Sequence, residues 1–222
     1  MSLAVFSESP TGYGYDFYRH QKASGVDLLD YGEWQRKYGQ WIVDALGLAG
    51  QRVLDVGSAC GSTLRAILEA GADIDGVDCS EVLVQLGRDQ WPDMGGRLMI
   101  SDAVNLHGIP DASYDWLHSL GVAEHWRPAL VPHILAELRR VVKPGGSFYC
   151  AFETAGGVMT NGRNPAEEPT HLCLRTSTWW DERLRKSGWQ LTSAAWLPVF
   201  QSHPDSARFQ SDWSWFIAQR PE

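Results

Sequence analysis

The stretch Val53-Leu-Asp-Val-Gly-Ser-Ala-Cys-Gly-Ser62 decides the fold of this chain of 222 residues. Its first part, Val53–Val56, is a short and mostly apolar run that ends at Gly57, and such a run predicts a buried parallel strand. The residues after the run predict a helix with Ser62 as its N-cap and Gly71 at its end. A strand, a glycine-containing turn and a helix in succession are typical of an α/β domain.

The same alternation of strand and helix continues along the chain. It predicts a doubly wound α/β domain with a mostly parallel sheet, helices on both faces and a ligand crevice at the carboxyl ends of the strands. In the segment Lys143-Pro-Gly-Gly146 the proline and the first glycine suit the two central positions of a turn, the second of which needs a positive φ. Further strands are predicted at Ile74–Val77, Leu98–Ile100, Tyr114–Leu120, Ser147–Phe152, Trp189–Trp196 and Ser211–Ala218, and further helices after Ser80, over Val131–Val142 and from Ser177 to near Gly188.

Composition limits the classes of function. Apolar residues make up 44% of the chain, which is enough for one sizeable core and predicts a single domain over residues 1–222. The net charge of −8 argues against nucleic-acid partners and against anionic membrane surfaces, because both require a basic face. No apolar run reaches the roughly 18 residues of a membrane span, and no leader pattern opens the sequence.

The four cysteines, Cys60, Cys79, Cys150 and Cys173, contain no CxxC pair. Their spacing therefore predicts neither a zinc site nor a redox dithiol, and we expect no bound metal. Reduced thiols are typical of a cytoplasmic protein, and this is the location we expect. Sequence alone leaves the oligomeric state open.

Two segments lie outside the alternation. Residues 1–50 hold a tyrosine cluster and a helix predicted over 31–46, and residues 153–175 are rich in Gly, Asn, Pro and Thr with no clear period. Long irregular stretches in compact domains are often lids or binding loops. Our interpretation is an N-terminal helical lid segment and an irregular active-site loop.

The loop Gly57-Ser-Ala-Cys-Gly61 is suited to hold a ligand. Gly57 allows a sharp turn and close approach to the backbone, and Gly61 directly precedes a helix whose N-terminus carries free N–H groups and a partial positive charge. Such an end favours a carboxylate as well as a phosphate. The Gly-x-x-x-Gly spacing differs from the GxGxxG pattern of dinucleotide-binding enzymes, so an NAD-dependent enzyme is the less favoured alternative.

Acidic residues follow the next two predicted strands. Asp78 ends the second strand, where a carboxylate can accept both hydroxyl groups of a ribose. Asp102 follows the third strand and can accept from an adenine amino group, with Ala103 beside it. Each residue alone could be an ordinary turn or cap residue, but their placement at successive strand ends favours one common site.

These segments resemble the motifs of class I S-adenosylmethionine (SAM)-dependent methyltransferases, closest to the small-molecule branch of the ubiquinone and menaquinone type. Two later segments, YDWLHSLGVAEH (Tyr114–His125) and VVKPGGSFYCAF (Val141–Phe152), resemble later motifs of that family. The resemblance is close over residues 35–152 and extends to 176–219 only in the order of elements. It implies a seven-stranded sheet with an antiparallel last strand, SAM as cofactor and S-adenosylhomocysteine (SAH) as product.

Carried over by position, the resemblance implies a role for each loop. The glycine loop holds the methionyl end of SAM, Asp78 the ribose and Asp102 the adenine amino group, while Cys79 and Ala103 flank the adenine. We interpret the loop cysteines as small packing residues, with a nucleophilic role as the less favoured alternative. The predicted cofactor-binding residues are Asp55, Gly57, Ser58, Ala59, Cys60, Gly61, Asp78, Cys79, Ser80, Asp102, Ala103, Ser119 and Leu120.

Three residues are the candidates for catalysis. Methyl transfer from a sulfonium needs in-line alignment, and a general base helps only where the acceptor carries a proton that must leave. Glu124 and His125 follow the fourth strand and fit either a structural, cofactor-side role or direct proton transfer. His171 fits either a base or a loop histidine bonded to the backbone. His118 lies within the strand and is predicted to be packed.

The acceptor is predicted to be a small molecule. Methyltransferases that act on adenine or amide nitrogens resemble one another in an (Asp/Asn)-Pro-Pro-(Tyr/Phe) motif, and Ser119-Leu-Gly-Val122 stands at that position here. An oxygen of a sugar or of a natural-product intermediate would suit a histidine or glutamate base. A non-catalytic module that only binds SAM is the other alternative.

Overall fold

The structure, a computed structural model, describes residues 13–153, 155, 164–192 and 213–222. Its helices are α1 (Tyr15–Ala23), α2 (Glu33–Leu46), α3 (Ser62–Glu69), α4 (Glu81–Gln90), α5 (Val131–Val141) and α6 (Ser177–Lys186). Its strands are β1 (Arg52–Val56), β2 (Asp73–Asp78), β3 (Leu98–Ile100), β4 (Tyr114–Leu120), β5 (Val142–Glu153), β6 (Gln190–Leu191) and β7 (Trp213–Gln219). Short 3₁₀ turns cover Pro92–Met94, Ala123–His125 and Pro165–Glu167.

The seven strands form one sheet in the order β3-β2-β1-β4-β5-β7-β6. β2 is parallel to β1 and β3, and β5 is parallel to β4. β7 lies antiparallel between β5 and β6. This arrangement confirms the predicted α/β class and its antiparallel last strand.

The described residues divide into two compact units between His107 and Gly108. In the first unit, Val53, Leu54 and Ile74 of the paired strands are fully buried. Helices α2 and α3 pack so closely there that a Cβ on Gly39 would lie only 2.4 Å from the carbonyl carbon of Ala66. The helix predicted over residues 31–46 corresponds to α2, which begins two residues later.

An aromatic core fills the second unit. Trp180 of α6 packs on Phe152 of β5 and on Trp126, with ring centroids 4.9 and 5.9 Å apart. Trp189 donates its indole N–H to the carbonyl of Leu135 at 3.1 Å, so its polar atom is satisfied inside the core. These large rings hold α5 and α6 against the sheet.

Two predicted helix caps are wrong by one residue. Gly61, with φ of +84°, is the N-cap of α3, and Ser62 is the first helical residue. Thr176 is the N-cap of α6, and its Oγ1 accepts from the N–H of Trp179 at 3.3 Å. The left-handed Gly61 ends the chain that precedes α3, and the side-chain hydroxyl of Thr176 caps α6. Each helix therefore begins one position earlier than the preference of serine for the N-cap suggests.

The predicted turn at Lys143–Gly146 is an interruption within β5. Tyr114 pairs with Val142 and Trp116 pairs with Ser147, so one residue of β4 faces four residues of β5. Gly145 has φ of +75° in this excursion, as the turn prediction requires. The strand predicted at Ser147–Phe152 therefore belongs to a longer strand.

The predicted final strands are shorter at their described ends. The strand at Trp189–Trp196 is reduced to Gln190–Leu191, and residues 193–196 lie outside the described residues. The strand at Ser211–Ala218 begins at Trp213, and residues 211–212 lie outside them as well. Residues 1–12 of the predicted lid and residues 154 and 156–163 of the predicted loop also lie outside the described residues.

In the part of the chain that the structure describes, none of the helices combines the length and apolarity of a membrane span.

Candidate functional site

In the first unit, the glycine loop connects β1 to α3 in an unusual backbone conformation. Gly57, Ala59 and Gly61 all have positive φ values, +80°, +47° and +84°. The N–H groups of Gly57 and Ser58 both donate to the carbonyl of Val77, at 2.8 and 3.0 Å, which ties the loop to the end of β2. A left-handed alanine costs free energy, and such residues concentrate at functional sites.

Gly61 is enclosed at the start of α3. A Cβ at this position would lie 2.9 Å from Cδ2 of Leu98, and its φ is one that side chains rarely adopt. Among the described residues, no side chain caps this helix. The N–H groups of its first turn are therefore suited to a ligand carboxylate, as the sequence predicts.

Asp78 links the glycine loop to the loop after β2. Its Oδ2 accepts from the N–H of Ala59 at 2.9 Å, and its Oδ1 accepts from the N–H of Ser80 at 2.8 Å. Burial, together with the smaller effect of the negative charges of Asp55 and Asp102, raises the pKa of the carboxyl group to about 6. When ionised, this half-buried side chain places a negative charge at the carboxyl end of β2.

Ser80 has a structural role in α4. It is fully buried, its Oγ accepts from the N–H of Leu83 at 3.1 Å as the predicted N-cap, and its hydroxyl donates to the carbonyl of Tyr13. Cys60 is also fully buried, and burial raises the pKa of its thiol to about 12. A protonated, inaccessible thiol supports the interpretation of Cys60 as a packing residue rather than a nucleophile. Cys79 is half-buried.

Asp102 begins a tight turn after β3. It is exposed, and its Oδ1 accepts from the N–H of Val104 at 2.9 Å. The N–H of Ser101 donates to the carbonyl of Asp78 at 2.9 Å, which fixes this turn to the end of β2. The structure thus brings the predicted acids to adjacent strand ends of one unit, with half-buried Ala103 next to Asp102.

In the second unit, Glu124 lies in the 3₁₀ turn after β4. It is 2% exposed, and its Oε1 accepts from the N–H of Glu153 at 3.4 Å. Its Oε2 is buried and has no hydrogen-bond partner among the described residues. Burial and the nearby charge of Glu153 raise the pKa of Glu124 to about 8.

His125 is fixed by a backbone carbonyl. Its Nδ1 lies 3.1 Å from the carbonyl oxygen of Thr170, and because that oxygen can only accept, Nδ1 carries the hydrogen. Burial and the neighbouring His171 lower the pKa of this imidazole to about 3, so it is neutral. Thr170 is itself held, since its hydroxyl donates to Glu168 at 3.0 Å.

His171 lies against both neighbours. Its Nδ1 is 3.6 Å from Oε2 of Glu153, and both side chains are less than a tenth exposed. Its ring meets that of His125 edge-on, with centroids 4.9 Å apart. A nitrogen from each histidine and an oxygen of Glu124 all lie within 4.8 Å of one another. The three predicted catalytic candidates therefore form one cluster, called here the Glu-His cluster.

Glu153 was not among the residues predicted for the site. The signal was present, because a charged residue directly follows the apolar predicted strand Ser147–Phe152. His118 is packed as predicted, 1% exposed and stacked on Tyr149. Ser119 of β4 is fully buried and pairs in register with Cys150, and Leu120 is half-buried.

Comparison with known proteins places residues 54–150 in a family described as a methyltransferase domain. Demethylmenaquinone methyltransferase of Renibacterium salmoninarum is 34% identical over 127 residues, which are 56% of this chain and 51% of that protein. Ubiquinone biosynthesis O-methyltransferase of Pseudomonas aeruginosa is 29% identical over 131 residues, 56% of this chain and 50% of that protein. The chain thus spans about half the length of these curated relatives.

Solved structures share the fold. Phosphoethanolamine N-methyltransferase 2 of Haemonchus contortus, determined in complex with S-adenosyl-L-methionine, superposes with a TM-score of 0.67 at 16% identity. The match covers 100% of this chain and 60% of that one. The strand order, the glycine loop and the matched residues 54–150 together support a class I SAM-dependent methyltransferase.

Proposed function

We propose that this chain transfers a methyl group from SAM to an oxygen of a small-molecule acceptor, a sugar or a natural-product intermediate. The proposal rests on the two hydrogen bonds that the carboxylate of Asp78 accepts from the N–H groups of Ala59 and Ser80. They place one half-buried carboxylate beside a glycine loop and an uncapped helix N-terminus, an arrangement that suits the ribose and the carboxylate of one ligand.

In this proposal the cofactor is held by the loops of the first unit. The glycine loop, Gly57–Gly61, and the first turn of α3 receive the methionyl end of SAM, and Asp78 accepts from the ribose hydroxyls. Cys79, Asp102 and Ala103 surround the adenine. The remaining predicted cofactor contacts are Asp55, Ser80, Ser119 and Leu120.

The Glu-His cluster serves the acceptor in this proposal. A hydroxyl acceptor must lose a proton when its oxygen takes the methyl group, and a positioned base accelerates that loss. His171 is the base in this proposal, because Glu153 lies beside it and would stabilise positive charge on its ring. His125, whose pKa is lowered to about 3, stays neutral beside it. The curated relatives named for ubiquinone and menaquinone synthesis support a small-molecule acceptor.

We further propose one methyltransferase domain over residues 1–222, with 1–50 as its lid segment and 153–175 as its acceptor loop, in the cytoplasm. The net charge of −8 supports partners other than nucleic acid. The four cysteines are free thiols, in keeping with a reducing compartment.

Binding and turnover together test the proposed function. Isothermal titration is expected to show SAH binding in the micromolar range, and a panel of hydroxylated small molecules with radiolabelled SAM is expected to yield a methylated product. No SAH binding at millimolar ligand would remove the proposal, and tighter binding of NADH would favour the NAD-dependent alternative. SAH binding without turnover of any acceptor would favour a non-catalytic module.

The pKa of Asp78 predicts a pH dependence of SAH binding. The carboxyl group titrates near pH 6 without ligand, and the ribose hydroxyls donate more strongly to its ionised form, which offers acceptors only. We expect the Kd for SAH to be constant above about pH 7 and to rise up to about tenfold per pH unit below 6. Titrations between pH 5 and 8 check this. A flat profile in wild type, or the same slope in Asp78→Asn, would contradict the ribose assignment.

A further inference from the structure

The Glu-His cluster has the ligand set of a metal site. We propose that Glu124, His125 and His171 bind one divalent ion of the first transition series. Two imidazoles and a carboxylate suit zinc, iron, cobalt or nickel better than magnesium or calcium, which prefer oxygen ligands only. The metal site stands on its own geometry, and only the role of its ion rests on the proposed function.

The distances allow one shared ion. Ligand atoms bound at about 2.1 Å to a common ion lie roughly 3.0–4.2 Å apart. The three candidate ligand atoms lie within 4.8 Å of one another. Side-chain adjustments below about 1 Å would therefore complete the coordination.

Both histidines are oriented by partners outside the ligand set. Nδ1 of His125 faces the carbonyl of Thr170 at 3.1 Å, and Nδ1 of His171 faces the carboxylate of Glu153 at 3.6 Å. Metal-ligating histidines typically donate their second ring N–H to a backbone carbonyl or a carboxylate, which fixes the tautomer. Metal binding through the Nε2 atoms would keep both of these Nδ1 contacts.

Glu124 supplies the anionic ligand. Its side chain is almost fully buried, the N–H of Glu153 fixes Oε1, and Oε2 is left without a hydrogen-bond partner among the described residues. A buried carboxylate oxygen without a partner is costly, and a bound cation removes that cost. This oxygen is the second, independent sign of a ligand at the cluster.

Three protein ligands leave coordination positions open for an acceptor oxygen. A metal-bound hydroxyl is more acidic than a free one, so its proton can leave to solvent near neutral pH. The resulting alkoxide forms the new O–CH₃ bond as the S–CH₃ bond of SAM breaks. An anion and a sulfonium cation then become a neutral ether and the neutral thioether SAH.

Cobalt(II) titration of untagged protein tests the site. Metal-free wild type is expected to bind one equivalent of cobalt(II), with the visible absorption bands of a nitrogen-ligated ion of low coordination number. Wild type loaded with zinc is expected to retain one equivalent of zinc on dialysis. His171→Asn and Glu124→Gln are expected to weaken cobalt binding at least tenfold. Glu153→Gln is expected to weaken it roughly 10–100-fold through the orientation of His171.

His133→Asn is the matched control, because His133 is exposed on α5, outside the Glu-His cluster. It is expected to bind cobalt like wild type, and circular dichroism establishes that each variant is folded. Absence of the bands from wild type, or equal binding by folded His171→Asn, would overturn the metal site. SAH affinity is measured on the same samples without metal. Loss of SAH binding there would count against the proposed function and leave the metal result intact.

Discussion

Replacing Asp78 with alanine is expected to raise the Kd for SAH about 100-fold, equivalent to about 3 kcal/mol. In the proposed complex the change removes a charged acceptor for the ribose hydroxyls, and each hydrogen bond to a charged group contributes about 1.5–3 kcal/mol. It also frees the N–H groups of Ala59 and Ser80, which hold the two cofactor loops in register. Isothermal titration at pH 8 measures the effect.

Asp78→Asn separates binding from folding. The pKa of Asp78 is raised from an ordinary 3.8 to about 6 in the folded chain. Ionisation of this carboxyl group therefore lowers the free energy of unfolding by its full amount above about pH 6, and has no such effect below about pH 3.8. At pH 8 asparagine removes that cost but can accept only one of the two N–H groups, so we expect the melting temperature to stay close to that of wild type while SAH binding weakens. Asp89→Ala on the exposed face of α4 is the control for loss of one negative charge. Wild-type affinity in Asp78→Ala would show that the ribose lies elsewhere.

Gly87→Ala is expected to destabilise the first unit by about 2 kcal/mol. Helix propensity alone favours alanine by about 1 kcal/mol. A Cβ on Gly87, however, would lie 2.2 Å from the carbonyl oxygen of Cys60, which belongs to backbone and cannot rotate away. Overpacking of this kind costs about 3 kcal/mol and outweighs the propensity. Thermal unfolding should show a melting temperature about 4–8 °C lower.

Gly96→Ala is the matched control, because nothing lies within 4 Å of its Cβ position. It should leave both the melting temperature and SAH affinity unchanged. Gly87→Ala should also weaken SAH binding, since the displaced Cys60 is part of the glycine loop. An increase in the melting temperature of Gly87→Ala would mean that propensity outweighs packing and that α4 can move away from the loop.

The strands of the first unit could be predicted because their signals are local. Val53–Val56 and Ile74–Val77 are short segments that begin and end on β-branched apolar residues. β1 begins one residue before its prediction, and β2 extends one residue beyond its prediction at each end. Cap positions were less accurate, as Ser62 shows. A side chain with cap propensity competes there with backbone geometry, and the left-handed Gly61 determines where α3 begins.

The Glu-His cluster could be predicted only in part. Glu124 and His125 are adjacent in sequence, but His171 comes 46 residues after His125 across a stretch without periodicity. The partner role of Glu153 depends on the β4–β5 register, in which Leu120 faces Ala151. A register interrupted by the excursion at Lys143–Gly146 cannot be counted from the sequence. The expectation of no bound metal rested on the absence of a CxxC pair, and cysteine spacing carries no information about a ligand set of one glutamate and two histidines.

The antiparallel insertion of β7 has a consequence for synthesis on the ribosome. β5 is made about 60 residues before its partner, with Ser147 pairing to Gln219 and Glu153 to Trp213. Until those last residues emerge, the buried apolar strand β5 exposes one row of unpaired backbone groups, which is a template for aggregation. The first unit can form its parallel strands earlier. The second unit must wait, and chaperone dependence during translation should therefore concentrate on nascent chains that end between residues 153 and 213.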